Sequence, residues 1–208
     1  MNILRIVLCT SIVCTAAGRA VAQDRMPPIA QDKMTDAQKK SAAEIVSGPR
    51  GALVGPFIPL LRSPEFMSRL QKVGEYIRYE NSLGHKVTEF AILVTSRQWA
   101  QEFEWDSHYD LALKAGMEQN VLDAVRDGRR PAGMSPEEEA VYDFCTELHL
   151  NQSVSDATYE RVVKNFGEQG VIDLTGTAGY YTTLAMIMNV ARTPLPAGKA
   201  EALPRFPH

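Results

Sequence analysis

Apolar residues recur at helical spacing along most of the chain, and no segment shows the strict alternation of apolar and polar residues that is typical of strands. The clearest repeat consists of Phe66, Leu70, Val73 and Ile77, and it follows Ser63, which is a favourable cap before a proline. The pattern predicts an all-α protein with about seven helices.

Helix boundaries are signalled at several points. Thr35 opens a capping box, and Ser135 is followed by a proline and three glutamates, which is a strong start signal. Ser155 is expected to cap a helix that ends at Gly167. A final long helix is predicted over residues 168–190.

Two stretches are less clear in the pattern. Residues 86–115 read either as one well-buried helix or as two helices with a bend near Gln101, and Gly116 is a good stop. Residues 52–61 combine prolines and glycines with large apolar side chains, so they predict an apolar loop that packs against something else.

The first 22 residues have the order of a secretory signal peptide. Arg5 precedes an apolar run over residues 6–17, and residues 20–22 form a small-x-small cleavage site. The run is too short for a comfortable membrane span, so we expect a periplasmic or secreted protein without a membrane partner after cleavage. The predicted organisation is a signal peptide (1–22), a leader and short helix (23–50), a helical domain (51–193) and a proline-rich tail (194–208).

The net charge and the cysteine content of the chain argue against some classes of function. The 208 residues carry a formal charge of −3, and cleavage would remove Arg5 and Arg19 to leave −5, which argues against a nucleic-acid partner. Cleavage would also leave a single cysteine, Cys145, at an apolar helical position where burial is expected.

The most suggestive chemistry lies between residues 101 and 108. Gln101, Glu104 and His108 are spaced so that a helix would place them along one face, with the carboxylate and the imidazole four residues apart. Such a pair can transfer protons near neutral pH. The neighbouring Trp105 is expected to shield the site from water.

These residues, together with Glu89, resemble a known signature. Glu89, eleven intervening residues, and then Gln101, Glu104 and His108 resemble the Glu-x11-Cys-x-x-Cys-x-x-x-His motif of the carboxymuconolactone decarboxylase and alkylhydroperoxidase D superfamily. The resemblance covers roughly residues 55–190. It implies an all-α fold and a symmetric homo-oligomer, often a trimer or hexamer, with sites near subunit contacts.

The departure from the motif matters for mechanism. Gln101 and Glu104 stand where the peroxidase branch has two cysteines. Thiol-dependent peroxide reduction needs a thiolate nucleophile and a resolving thiol, so this activity is disfavoured.

The decarboxylase branch also lacks the cysteine pair. Resemblance to it implies a cofactor-independent lyase that removes carbon dioxide from a small carboxylated lactone. His108 would be the proton donor or electrophilic partner, Glu104 would orient it or share its proton, and Glu89 would be a second acid/base or an orienting group. No metal is expected, because His85 and His149 are not spaced to complete a ligand set.

An acidic substrate also needs a cationic anchor, for which Arg62 and Arg97 are candidates. Gln101 and Trp105 are further candidates for substrate contact. Tyr180 and Tyr181 are possible pocket residues on the last helix. Two alternatives remain open: an exported binding or accessory protein of the same fold, and a hydrolase or isomerase that acts on a related lactone.

Overall fold

The structure, a computed structural model, describes residues 23–204. Within that range it contains eight α-helices, one 3-10 turn at Gln31–Lys33 and no strand, which confirms the all-α prediction. In chain order the helices are α1 (Asp36–Ser47), α2 (Phe57–Leu60), α3 (Pro64–Tyr79), α4 (His85–Gln98), α5 (Glu102–Lys114), α6 (Gln119–Arg126), α7 (Pro136–Asn151) and α8 (Asp156–Ala191).

Local capping explains where several helices begin. Thr35 and Gln38 form the predicted capping box at the start of α1, and Ser135 and Glu138 form another at the start of α7. The Ser155 hydroxyl accepts a hydrogen bond from the backbone N–H of Thr158 and so caps α8.

The apolar loop predicted at 52–61 contains the short helix α2. Phe57, Leu60 and Leu61 are buried there against α3 and α8. A four-residue helix is too short to show a periodic pattern, so burial of its apolar side chains is what defines it.

Residues 86–115 form two helices rather than one. Ala100 has a positive φ of 45°, and the Gln101 side chain accepts a hydrogen bond from the backbone N–H of Phe103 at 2.7 Å. This left-handed residue and the new N-cap end α4 and start α5. The structure therefore has the second of the two arrangements that the sequence left open, with the bend near Gln101.

Helix α4 lies at the centre of the molecule and packs against α5, α7 and α8. Every residue from Thr88 to Arg97 is buried, so this part of the helix has no solvent face. One apolar core lies between α4 and α5–α7, and a second joins α1–α3 with the later part of α8.

Helix α8 is interrupted once. Gly167 has φ 71° and ψ 179°, which are not helical angles, and it lies where the sequence predicted one helix to end and the next to begin. Across residues 23–204, no helix is both long and apolar enough to cross a membrane.

The tail packs against α5. The backbone N–H groups of Ala202 and Leu203 donate to the Glu102 carboxylate at 2.9 and 3.0 Å, and Lys199 pairs with Asp106 at 2.9 Å. The predicted signal peptide (1–22) and the last four residues lie outside the described part of the chain.

Candidate functional site

Packing of α4 against α5 brings three titratable side chains together. Glu89 projects from α4, while Glu104 and His108 lie four residues apart on one face of α5. All three are buried, with exposed fractions of 0%, 3% and 3%. Ionisable groups this deep in a helical core need partners, and here they are partners for one another.

His108 lies between the two carboxylates. Its Nδ1 is 2.6 Å from Glu89 Oε2, and its Nε2 is 3.3 Å from Glu104 Oε2. The edge-to-face contact of its ring with Tyr181, at a centroid distance of 5.1 Å, fixes the ring plane. Both ring nitrogens therefore have a carboxylate acceptor.

This arrangement favours the charged imidazolium. Burial alone lowers the pKa of His108, but hydrogen bonds to Glu104 and Glu89 and the charges of both carboxylates outweigh it, so the pKa is raised above 6.5. The cluster can therefore hold a proton near neutral pH and pass it between the ring and a carboxylate.

One oxygen of each carboxylate makes no hydrogen bond. Glu89 Oε1 and Glu104 Oε1 are buried and have no hydrogen-bond partner. Glu89 Oε1 lies 3.7 Å from Nδ1 of the exposed His85, whereas Glu104 lies on the wall of a cavity. The two acids thus face different surroundings: Glu89 lies behind the ring, and Glu104 is accessible to a ligand.

The cavity beside Glu104 and His108 has a volume of about 110 Å³. That is small compared with the roughly 300–1,000 Å³ of pockets for drug-sized ligands, so it suits a small molecule or part of one. Its polar wall consists of Arg50, Arg78, Glu104, Ser107 and His108. Its apolar wall consists of Val54, Pro56, Phe57, Phe103, Tyr181 and Leu184.

The two arginines in this wall were missed by sequence reasoning. Arg50 follows α1, and Arg78 lies near the end of α3, so neither shares an element or a motif spacing with His108. Their proximity to the cavity is a product of tertiary packing, which periodicity does not reveal.

The arginines that the sequence suggested as anchors lie elsewhere. Arg62 is exposed and donates to the backbone carbonyls of Pro27 and Ile58 at 2.7 and 3.3 Å. Arg97 is buried in α4. Burial lowers the pKa of its guanidinium, although the charges of Glu102 and Asp127 act to raise it. Neither side chain lines the cavity at His108.

Two further candidates for substrate contact also have structural positions. Gln101 caps α5 and donates to Asn189 Oδ1 at 2.8 Å, which ties α5 to α8. Trp105 packs in the apolar core with its ring 5.9 Å from that of Tyr109. Neither belongs to the cavity wall. Gln101 precedes the helix as its extended N-cap, so it does not share the helical face of Glu104 and His108 that its spacing suggested, and Trp105 lies in the apolar core.

Cys145 is fully buried in α7 and is a free cysteine. Burial raises the pKa of its thiol to about 12, so the thiolate is scarce at neutral pH. It also lies outside the cavity wall, and it is the single cysteine among the described residues.

Among residues 23–204, no group of three or more histidine, cysteine, aspartate or glutamate side chains is arranged to hold a metal ion. The Glu89–His108–Glu104 cluster is linear, with the imidazole between the acids, rather than convergent on a common centre.

Comparison with known proteins agrees with the signature found in the sequence. Residues 64–150 match the model of the carboxymuconolactone decarboxylase family. That span includes Glu89, Gln101, Glu104 and His108. No curated protein sequence matches the chain significantly.

Two solved structures share the fold. One is an uncharacterized peroxidase-related protein from Ralstonia eutropha JMP134, described as an alkylhydroperoxidase AhpD core; it has a TM-score of 0.67 and 14% identity, and the match covers 83% of this chain and 92% of that one. The other is an Agrobacterium tumefaciens protein of unknown function, described as a putative antioxidant defence protein AhpD. Its TM-score is 0.60 at 17% identity, over 66% of this chain and 95% of that one. At such identities the likeness concerns the fold alone.

Proposed function

We propose that the protein is a cofactor-independent carboxy-lyase, because residues 64–150 match the model of the carboxymuconolactone decarboxylase family and the fold is that of the alkylhydroperoxidase D-like structures. Its substrate would be a small carboxylated lactone. The observation that carries the proposal is a buried imidazole held between two carboxylates at the wall of a small cavity.

The proposed reaction replaces a carboxylate with a hydrogen. The bond between the ring carbon and the carboxylate carbon breaks, carbon dioxide leaves, and the electron pair remains on the lactone, whose carbonyl group delocalises it. A proton then adds to the resulting carbanion or enolate. The lactone itself accepts the electrons, so the protein needs to supply only binding, orientation and a proton.

The geometry supports separate roles for the three groups. His108 and Glu104 line the cavity, so together they are the proton donor, with the proton passing from Nε2 to Glu104 or directly to substrate. Glu89 contacts Nδ1 at 2.6 Å from behind the ring and is a positioning residue that stabilises the imidazolium.

Thiol peroxidase activity does not fit the same site. Gln101 and Glu104 occupy the motif positions of the two cysteines, and Cys145 is buried with a pKa of about 12. The peroxidase-related descriptions of the two structural neighbours therefore stay with those proteins.

The proposal extends to where and how the protein works. The predicted signal peptide would deliver it to the periplasm or the extracellular space. A trimer or hexamer is proposed from the family resemblance, and the apolar groove bordered by the exposed Phe66, Met186 and Val190 supports self-association. Light scattering on the mature chain measures the oligomer directly.

The experiment is to incubate the mature protein with carboxymuconolactone and follow carbon dioxide release. We expect turnover by the wild type and a loss of about 10²-fold or more in Glu104→Gln and His108→Gln. Undiminished turnover in His108→Gln would remove the assignment. Saturable binding without turnover would favour the binding-protein alternative, and ring opening without carbon dioxide would favour the hydrolase.

A further inference from the structure

We propose that Arg50 and Arg78 form a carboxylate-binding subsite in the cavity that also contains Glu104 and His108. This inference rests on the proposed function, since it specifies how that site would recognise its substrate. It assigns the anchor to two residues on different elements that the sequence pattern does not connect.

Arg50 is held in place by neighbours that leave its charge uncompensated. Its Nη2 donates to the Tyr180 hydroxyl at 3.2 Å, and its guanidinium carbon lies 4.7 Å from the centroid of the Phe57 ring. Its Nε is buried without a hydrogen-bond partner. A buried, unsatisfied guanidinium N–H is costly unless a ligand accepts from it.

Arg78 supplies the second positive charge. Its guanidinium carbon is 5.6 Å from the centroid of the Tyr79 ring. Across the described residues, neither Arg50 nor Arg78 forms an ion pair with a carboxylate. By contrast, Arg69 on the same helix is paired with Glu65. Two arginines without acidic partners in one cavity wall create a site for an anion.

The charges of the cavity favour the binding of one carboxylate group of a ligand. A protonated His108 between Glu89 and Glu104 leaves that cluster at −1, and the two arginines add +2. The remaining +1 is matched by one carboxylate. A planar carboxylate also suits the planar guanidinium fork, which binds it through two parallel hydrogen bonds.

Gly74 leaves space for the contact between Arg50 and Tyr180. Gly74 lies on α3, and a Cβ atom added there would collide with the Tyr180 hydroxyl and with Arg50 Nη2. The absence of a side chain at this position therefore makes room for the Arg50–Tyr180 contact. Phe57, Tyr181 and Leu184 add apolar surface to the cavity wall, which strengthens the charge interaction by excluding water.

The test is to measure binding of 2-furoate, an unreactive ring carboxylate, by calorimetry, with neutral 2-furamide and inorganic phosphate as comparison ligands. We expect 2-furoate to bind best, and its affinity to fall about tenfold or more in Arg50→Gln and in Arg78→Gln. Arg69→Gln, an exposed arginine on the same helix as Arg78, is the matched control and should bind as the wild type does.

Additional variants keep the result interpretable. Arg50→Lys and Arg78→Lys retain the charge without the fork and should bind with intermediate affinity. Gly74→Ala should weaken binding by displacing Arg50. Circular dichroism identifies any variant that is unfolded, and the 2-furoate affinities of the folded variants test the subsite.

Three outcomes would overturn the subsite: equal 2-furoate affinity in all folded arginine variants, equal affinity for 2-furamide, or tighter binding of phosphate. Because 2-furoate is not turned over, the result is separate from the proposed lyase activity. Arginine-dependent binding without carbon dioxide release from carboxymuconolactone would support the subsite and contradict the lyase. Turnover with an unchanged KM in the arginine variants would contradict the subsite alone.

Discussion

At the residue scale, the central feature is a histidine whose two ring nitrogens both meet carboxylates. Glu89 and Glu104 come from different helices, yet each lies within 3.3 Å of His108. Removing either acid would leave the ring with one acceptor and change the balance between burial and charge that sets its pKa.

The raised pKa of His108 predicts a pH-dependent contribution to stability. The stabilisation from the protonated ring is complete below the unfolded pKa of about 6.5 and is lost as the pH rises through the higher folded pKa. The difference in unfolding free energy between the wild type and His108→Gln should therefore shrink as the pH rises above 6.5. Urea titrations from pH 6 to 9 measure it, and a constant difference would contradict the raised pKa.

The Glu89→Gln variant tests whether Glu89 positions the His108 ring rather than contacting the substrate. Glu89 supports the ring but does not line the cavity, so the variant should lower the pKa of His108 and reduce kcat by about 10²-fold. KM should stay near the wild-type value. NMR titration of the ring and steady-state kinetics measure the two effects, and a change confined to KM would argue against the role.

At the element scale, local chemistry explains helix ends better than it explains short or interrupted helices. The capping box at Thr35 and the helix start at Ser135 are confirmed because they depend only on residues three apart. The break at Gln101 depends on the positive φ of Ala100, and an alanine gives no signal for that conformation. Helix α2 depends on burial, which a local pattern does not contain.

Gly167 and Gly179 make a matched pair of glycines in α8. Gly167 has φ 71° and ψ 179°, an angle pair that is open essentially to glycine, so Gly167→Ala should destabilise the protein by about 1–3 kcal/mol. Gly179 is exposed, helical and free of neighbours, so Gly179→Ala should be neutral or stabilising by up to about 1 kcal/mol. Thermal unfolding of both variants checks the prediction, and equal shifts would contradict it.

At the scale of the whole molecule, the one cysteine of the described residues is buried in α7. Cys145 should resist a thiol reagent in the native state and react once urea unfolds the protein, because burial raises its pKa to about 12. Absorbance of the released chromophore follows the reaction. Fast labelling of the native mature chain, in which Cys145 is the single cysteine, or dithiol-dependent peroxide consumption, would contradict this account.

The sequence predicts only part of the candidate site, because some of its residues come together only through the packing of the whole domain. Glu89, Glu104 and His108 follow from the motif spacing, which encodes two adjacent helices. Arg50 reaches the cavity from the segment after α1 and Arg78 reaches it from α3, so their position depends on the packing of the whole domain. Arg62 ends the apolar loop and Arg97 lies on the helix of Glu89, but neither position along the chain brings the side chain to the cavity wall.

The most direct test of the proposed proton transfer is turnover of carboxymuconolactone in deuterium oxide, followed by NMR of the product. We predict carbon dioxide release with one deuterium added to a single face of the product carbon, and loss of both in Glu104→Gln and His108→Gln. Absence of carbon dioxide, or deuteration of both faces at the same rate in wild type and variants, would contradict the account.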